Sequence, residues 1–172
     1  DRPSAFRYPR GNGTGVELPS IKEILEIGKG KIVLNGKHVA ILNFGARIME
    51  CIKAADVLKK KGISVSIFDA RFAKPLDEKT IIELASNHEA IITIEEGSIG
   101  GFSSQVTKLL SDRGFFDKGL KFRSMILPDK FLDQDTPEKM YRIAGLDSES
   151  IIQKIENVLN SNVVIAKNKN LS

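Results

Sequence analysis

Two arginines three residues apart carry the first chemistry in this sequence: Arg7 and Arg10, in AFRYPRGNGTG, residues 5–15. A guanidinium stays charged at any working pH and grips phosphate through a fork of parallel N–H donors. Tyr8-Pro9 stiffens the segment that spaces them, because the proline ring fixes its own φ. Gly11, Gly13 and Gly15 follow, and glycine lets backbone approach an anion or turn sharply. The competing reading is a solvated basic loop leading into a linker, and chemistry alone leaves the two level. An anion grip with so little chain on one side of it has few residues to build its walls. That raises the expectation that it works inside a larger polypeptide.

The other reactive side chains read as structural. Glu95 and Glu96, in EEGSIGGF, could serve as acid, base or metal ligand. The preferred reading has the glycines permitting a tight strand-to-helix turn while the acids hydrogen-bond neighbouring loops. Asp69 and Arg71 read as an ion pair across one loop. Lys74-Pro75-Leu76-Asp77 reads as the approach to a helix, and His88 as the cap of a helix end. The one cysteine, Cys51, lies on a helical pattern with no partner for nucleophilic chemistry, so packing is its expected role. His38 and His88 have no Cys or carboxylate at metal-ligand spacing, so no zinc site is expected. No Ser-His-Asp order and no phosphate loop of usual spacing is present. From these residues we assign no catalytic group, no cofactor ligand and no metal ligand.

The elements that would hold these residues alternate. GKIVLNGKHVAILNFG reads as strands at 31–34 and 37–43 joined by an Asn35-Gly36 hairpin turn, antiparallel to each other. ARIMECIKAADVLKKKG is a helix, with Ile48, Cys51, Ile52, Ala55 and Leu58 at steps of three and four, stopped by Gly62. ISVSIFDA, AIITIEE and LKFRSMIL read as strands; DEKTIIELASNH and FSSQVTKLLSDRG read as the helices between them. Two closing helices start after Thr136 and Asp147, both suited to capping. Residues 21–25, IKEIL, are either a short helical turn or an extended connector. Alternating strands and helices predict a three-layer α/β/α domain over residues 31–160. Its five-stranded sheet is mostly parallel with one antiparallel strand. Residues 21–30 read as a linker and 161–172 as a polar tail.

Length, charge and composition narrow the class. The 172 residues suffice for one domain with a core, and 41% hydrophobic with 28% charged residues fits a globular chain. The net charge of +4 is mild and its Lys and Arg are scattered, so nucleic acid is not an expected partner. No signal-peptide core or membrane-length apolar run occurs. With one cysteine, the chain reads as cytoplasmic.

The whole pattern resembles a known family. PSAFRYPRGNGTGVEL, IGKGKIVLNGKHVAILNFG, DARFAKPLDEKTIIELASNHEAIITIEEGSIGGFSSQV and LPDKFLDQDTPEKMYRIAGLDSESI are similar to the carboxyl-terminal third of 1-deoxy-D-xylulose-5-phosphate synthases, which belong to the thiamine-diphosphate-dependent transketolase family. The resemblance covers residues 1–159. FRYPRGN and LPDKF set it apart from transketolase itself and from the β subunits of 2-oxo-acid dehydrogenases. It implies that residues 1–20 end a pyrimidine-binding domain and begin a linker, and that 31–160 are the third domain. It implies a transferase that, as a homodimer, condenses pyruvate with glyceraldehyde 3-phosphate using thiamine diphosphate and Mg2+ held by segments absent here. Arg10 would hold the substrate phosphate, with Arg7 as a second candidate, and the fragment alone would be inactive. The alternatives are the carboxyl-terminal domain of a transketolase or of a 2-oxo-acid dehydrogenase β subunit, or a stand-alone assembly module.

Overall fold

The computed structural model describes residues 24–161 together with Pro3. Five strands and five α-helices follow in the order β1 (Lys31–Leu34), β2 (Val39–Phe44), α1 (Ile48–Lys60), β3 (Val65–Asp69), α2 (Glu78–Asn87), β4 (Ala90–Glu95), α3 (Phe102–Asp112), β5 (Lys121–Met125), α4 (Pro137–Ile143) and α5 (Ser148–Asn160). A 3-10 turn, Phe116–Lys118, precedes β5. The sheet order is β1-β3-β2-β4-β5, with β1 antiparallel to β3 and every other pair parallel. The expected fold class is the observed one.

Burial explains the arrangement. VAILNF and AIITIE are apolar on both faces because helices cover both sides of a parallel sheet. On one face Val39, Ile41, Ile92 and Ile94 pack with Cys51, Leu58, Ile151 and Ile155 of α1 and α5. On the other, Leu42, Phe68 and Ile91 pack with Ile81, Phe102, Val106 and Leu110 of α2 and α3. Each fully buried Ile, Leu or Phe contributes about 1.5–3 kcal/mol of apolar burial. Gly62 ends α1 at φ +80°, as its sequence position demands.

The expected hairpin is not there. β1 and β2 are antiparallel in direction, but β3 lies between them, and β1 pairs with β3 through Lys31–Asp69 and Ile32–Phe68. The cause is β2: an apolar strand needs neighbours on both sides, and the crossover through α1 brings β3 into the place a hairpin partner would take. Asn35-Gly36 therefore crosses beneath the start of β3. A Cβ on Gly36 would stand 2.2 Å from the Val65 carbonyl carbon, so the glycine serves close approach. Its N–H donates to Ser66 Oγ at 2.8 Å, and the His38 N–H donates to Ser64 O at 2.9 Å.

The helix starts differ in one detail. Asp77 and Asp147 cap α2 and α5 by accepting the Thr80 and Ser150 N–H groups at 3.2 and 3.0 Å. Thr136, expected to cap α4, makes no side-chain cap bond; Pro137 occupies the first turn and Asp135 Oδ1 accepts the Thr136 N–H. The described part of 21–25, Ile24 and Leu25, is not helical. Residues 24–30 reach β1 at the carboxyl edge of the parallel strands, where Gly30 N–H donates to Asp77 Oδ2 at 3.1 Å. Among the described residues, no helix is long and apolar enough to cross a membrane.

Candidate functional site

Strand order selects the place where a ligand would bind. The chain steps from β2 to β3 through α1 on one face, then from β3 to β4 through α2 on the other. β2 and β4 are therefore neighbours whose exits go to opposite faces, and that divide is where open α/β sheets bind ligands. The loops there are Gly45–Arg47 after β2 and Glu96–Gly101 after β4.

The divide is filled from within. Arg47 Nε lies 2.6 Å from Glu96 Oε1, an ion contact whose N–H is not lined up on the oxygen as a hydrogen bond. Tyr141 of α4 covers it, with the Arg47 guanidinium carbon 3.6 Å from its ring centroid. Burial pushes the Tyr141 phenol above its ordinary range, and the Glu96 carboxylate pushes it further. Beside this cluster opens a cavity of about 450 Å³ whose lining includes Lys53, Glu138 and Arg142. Its other carboxylates are engaged: Glu50 accepts from Lys53 at 2.6 Å and from the Ser148 N–H at 2.9 Å, and Asp147 caps α5. The arrangement can hold α4 over the edge; it offers no general base poised over a nucleophile.

The acids weighed in the sequence have separate duties. Glu95 is buried and accepts the Phe102 and Ser103 N–H groups at 3.0 and 2.8 Å, holding the start of α3. A Cβ on Gly97 or Gly101 would come within 2.6 or 2.5 Å of its carboxylate, so both glycines make room for it. Glu96 turns to Arg47. Asp69 Oδ2 lies 3.6 Å from Arg71 Nε, as an ion pair. Arg71 itself sits at φ +57°, the centre of a γ-turn closed by the Phe72 N–H on Ala70 O at 2.5 Å, a strained conformation for any residue with a Cβ. His88 Nδ1 donates to Leu84 O and its Nε2 meets Ser66 Oγ, both at 2.8 Å, so it caps α2 and ties it to β3. His38 Nδ1 accepts the Ser64 N–H at 2.8 Å. Burial pushes the Cys51 thiol up to about 12.

Arg7 and Arg10 lie outside the described residues. Arg47 and Tyr141, which build the observed cluster, were not singled out from the sequence. They are 94 positions apart, and only the placement of β2 beside β4 would have joined them to Glu96.

Residues 28–151 match the family described as "Transketolase, C-terminal domain". The fold is similar to a split-gene transketolase solved as an inactive beta4 tetramer, with TM-score 0.73 and 27% identity over 83% of this chain and 46% of that one. It is also similar to the transketolase of Campylobacter jejuni subsp. jejuni NCTC 11168, with TM-score 0.54 and 13% identity over 76% of this chain and 18% of that one, a likeness of fold. The chain thus spans less than half the length of either. With that match running from Gly28 to Ile151, most of its length, the chain belongs to the transketolase C-terminal domain family.

Proposed function

We propose that this chain is the carboxyl-terminal third of a cytoplasmic, homodimeric 1-deoxy-D-xylulose-5-phosphate synthase. The observation that carries the reading is the pairing of FRYPRGN, ahead of a transketolase C-terminal domain, with LPDKF inside it, after β5. In that enzyme pyruvate loses its carboxylate as carbon dioxide, and the two remaining carbons bond to the aldehyde carbon of glyceraldehyde 3-phosphate. Thiamine diphosphate with Mg2+ would supply the electron sink for that decarboxylation. The described residues do not fit a site for it. Glu95 is engaged by α3 and Glu96 by Arg47, and among the described residues no three His, Cys, Asp or Glu side chains gather for a metal. The cofactor belongs to other segments, and the 172-residue chain alone turns nothing over.

The role left to this chain is to grip the substrate phosphate through Arg10, with Arg7 beside it, and so orient the aldehyde. In the complete enzyme Arg10→Ala should raise KM for glyceraldehyde 3-phosphate about tenfold to a hundredfold, the loss of a charge-assisted contact of roughly 1.5–3 kcal/mol. KM for pyruvate should move little. Equal changes for both substrates would overturn the assignment. A second reading, a transketolase whose carboxyl-terminal part is a separate chain, is favoured by the split-gene neighbour at 27% identity. Carbon dioxide released from pyruvate only when glyceraldehyde 3-phosphate is present decides for the synthase.

A further inference from the structure

The sheet has two outer strands, and their free sides differ. At β1 the register slips between Ile32 and Leu34, and an irregularity of that kind turns an edge away from further pairing. At β5 the residues Lys121–Met125 pair without a slip with Ala90–Ile94 and leave a regular outer side. Lys121 and Leu127 donate their N–H groups toward β4, to Glu89 O and Gly97 O at 3.2 and 2.9 Å. Successive residues of a strand aim these groups to opposite sides, so Phe122, Ser124 and Ile126 turn theirs outward. Among the described residues no strand pairs with that side.

A groove runs beside this edge. It holds about 300 Å³ between Ser124 and Ile126 on one side and Ser150, Gln153, Lys154 and Asn157 of α5 on the other. Their spacing of three and four puts those α5 residues on one face of the helix. Lys154 is the one charged residue in the lining, which has no carboxylate. Arg123 stands on the same face of the sheet, because it pairs with Ile92, which packs in the α1–α5 core. Its guanidinium donates to the Phe122 carbonyl at 2.7 Å. Lys121 is taken by Glu89 at 2.6 Å, but among the described residues neither Arg123 nor Lys154 is in an ion pair.

We infer that this edge takes an extended, acidic segment of a partner polypeptide, which adds a strand beside β5 and sets its carboxylates against Arg123 and Lys154. In strand addition the main-chain hydrogen bonds give affinity, and alternate side chains entering a neighbouring groove give specificity. Charge chooses the occupant. A second copy pairing edge to edge would bring Lys121 and Arg123 against their own equivalents, and like charges across a strand pair oppose it. An acidic strand instead meets two cations without carboxylate partners. It also takes over the outward Phe122 carbonyl and so frees the Arg123 guanidinium for a carboxylate. The same cations thus reject one strand and select another. The inference does not rest on the proposed reaction.

Fluorescence anisotropy with a labelled peptide, Thr-Val-Glu-Val-Glu-Val-Thr, reads it, since the two glutamates share one face of a strand. The whole 172-residue chain should bind this peptide about tenfold tighter than the same peptide with lysine in place of glutamate, the scale of one charge-assisted hydrogen bond. Arg123→Glu/Lys154→Glu should reverse that order, and an unchanged melting temperature shows that the variant is folded. N-methyl groups on one alternate set of peptide amides, the set facing β5, should abolish binding, while on the other set they should not. No binding of the acidic peptide, equal binding of the two peptides, an unchanged preference in the folded variant, or equal effects of the two methylated sets overturns the inference. A concentration-dependent dimer, seen by light scattering, that excludes the peptide overturns it too, by making a second copy the occupant. None of these results bears on whether Arg10 binds a substrate phosphate.

Discussion

At the scale of single residues, the carboxylates show how position assigns duty. Glu95 and Glu96 are neighbours in sequence, yet one side chain enters the core to hold a helix start and the other turns to a cation on the next loop. Glu95 is the last residue of β4, where its carboxylate meets the start of α3, while Glu96 opens the loop that follows and meets Arg47. The sequence reading of both as structural agrees with these contacts, but it could not supply their partners, since neither partner is local. Glu50 gives the clearest pH signature. Burial alone would raise its pKa, but the hydrogen bonds from Lys53 and Ser148, with the Lys53 charge, outweigh it and hold the carboxyl below its usual range. A carboxylate whose pKa is lower folded than unfolded stabilises the fold above its unfolded value, about 4.3, and loses that contribution as pH falls through the folded value. Glu50→Gln should therefore melt below wild type at neutral pH, with the gap closing as the pH drops under about 4. A gap that stays constant from neutral to acid pH would show that Glu50 contributes only by packing.

At the scale of elements, the alternation of strand and helix was legible because each element carries its own period. FSSQVTKLLSD buries Phe102, Val106, Leu109 and Leu110 at helical steps, and AIITIE is buried throughout, so local pattern and tertiary place agree. The pairing of the first two strands was not legible. Asn-Gly between apolar runs signals a tight turn when the runs are neighbours, but here β3 inserts between them from thirty residues further along. Nothing within Lys31–Phe44 announces that insertion. The difference has a measurable consequence at Gly36. In a hairpin turn the position would need positive φ and would tolerate Asn; in this fold it needs the absence of a Cβ, because backbone of Val65 and Ser66 lies within 2.6 Å of where one would be. Gly36→Ala and Gly36→Asn should both destabilise, by about 3 kcal/mol or more, since the obstruction is main chain that cannot rotate away. Urea midpoints measured for the two variants settle it: an Asn variant close to wild type would restore the hairpin reading.

At the scale of the whole molecule, the sheet and its two cores form one cooperative unit, while α4 is attached to it by few contacts. Phe68, Phe102, Leu58 and Ile155 anchor the faces, but α4 has no buried residue; it is held by Tyr141, which stacks on Arg47 and packs against the α1–α5 core, with Ala144 packing there at its end. Removing that hold should open α4 without unfolding the sheet, because local openings cost only the contacts they break. In Arg47→Ala the ring loses its cation and Glu96 its partner. Both groups are partly exposed, so solvent recovers part of the loss, and about 1–2 kcal/mol is expected. That corresponds to amide exchange in Met140–Leu146 faster by roughly fivefold to thirtyfold, with β2 and β4 amides unchanged. Tyr141→Ala should reproduce the same pattern from the other side of the contact. If exchange instead rises uniformly across sheet and helices, the Arg47–Glu96 pair is a support of the global fold, and α4 is not a separately opening element.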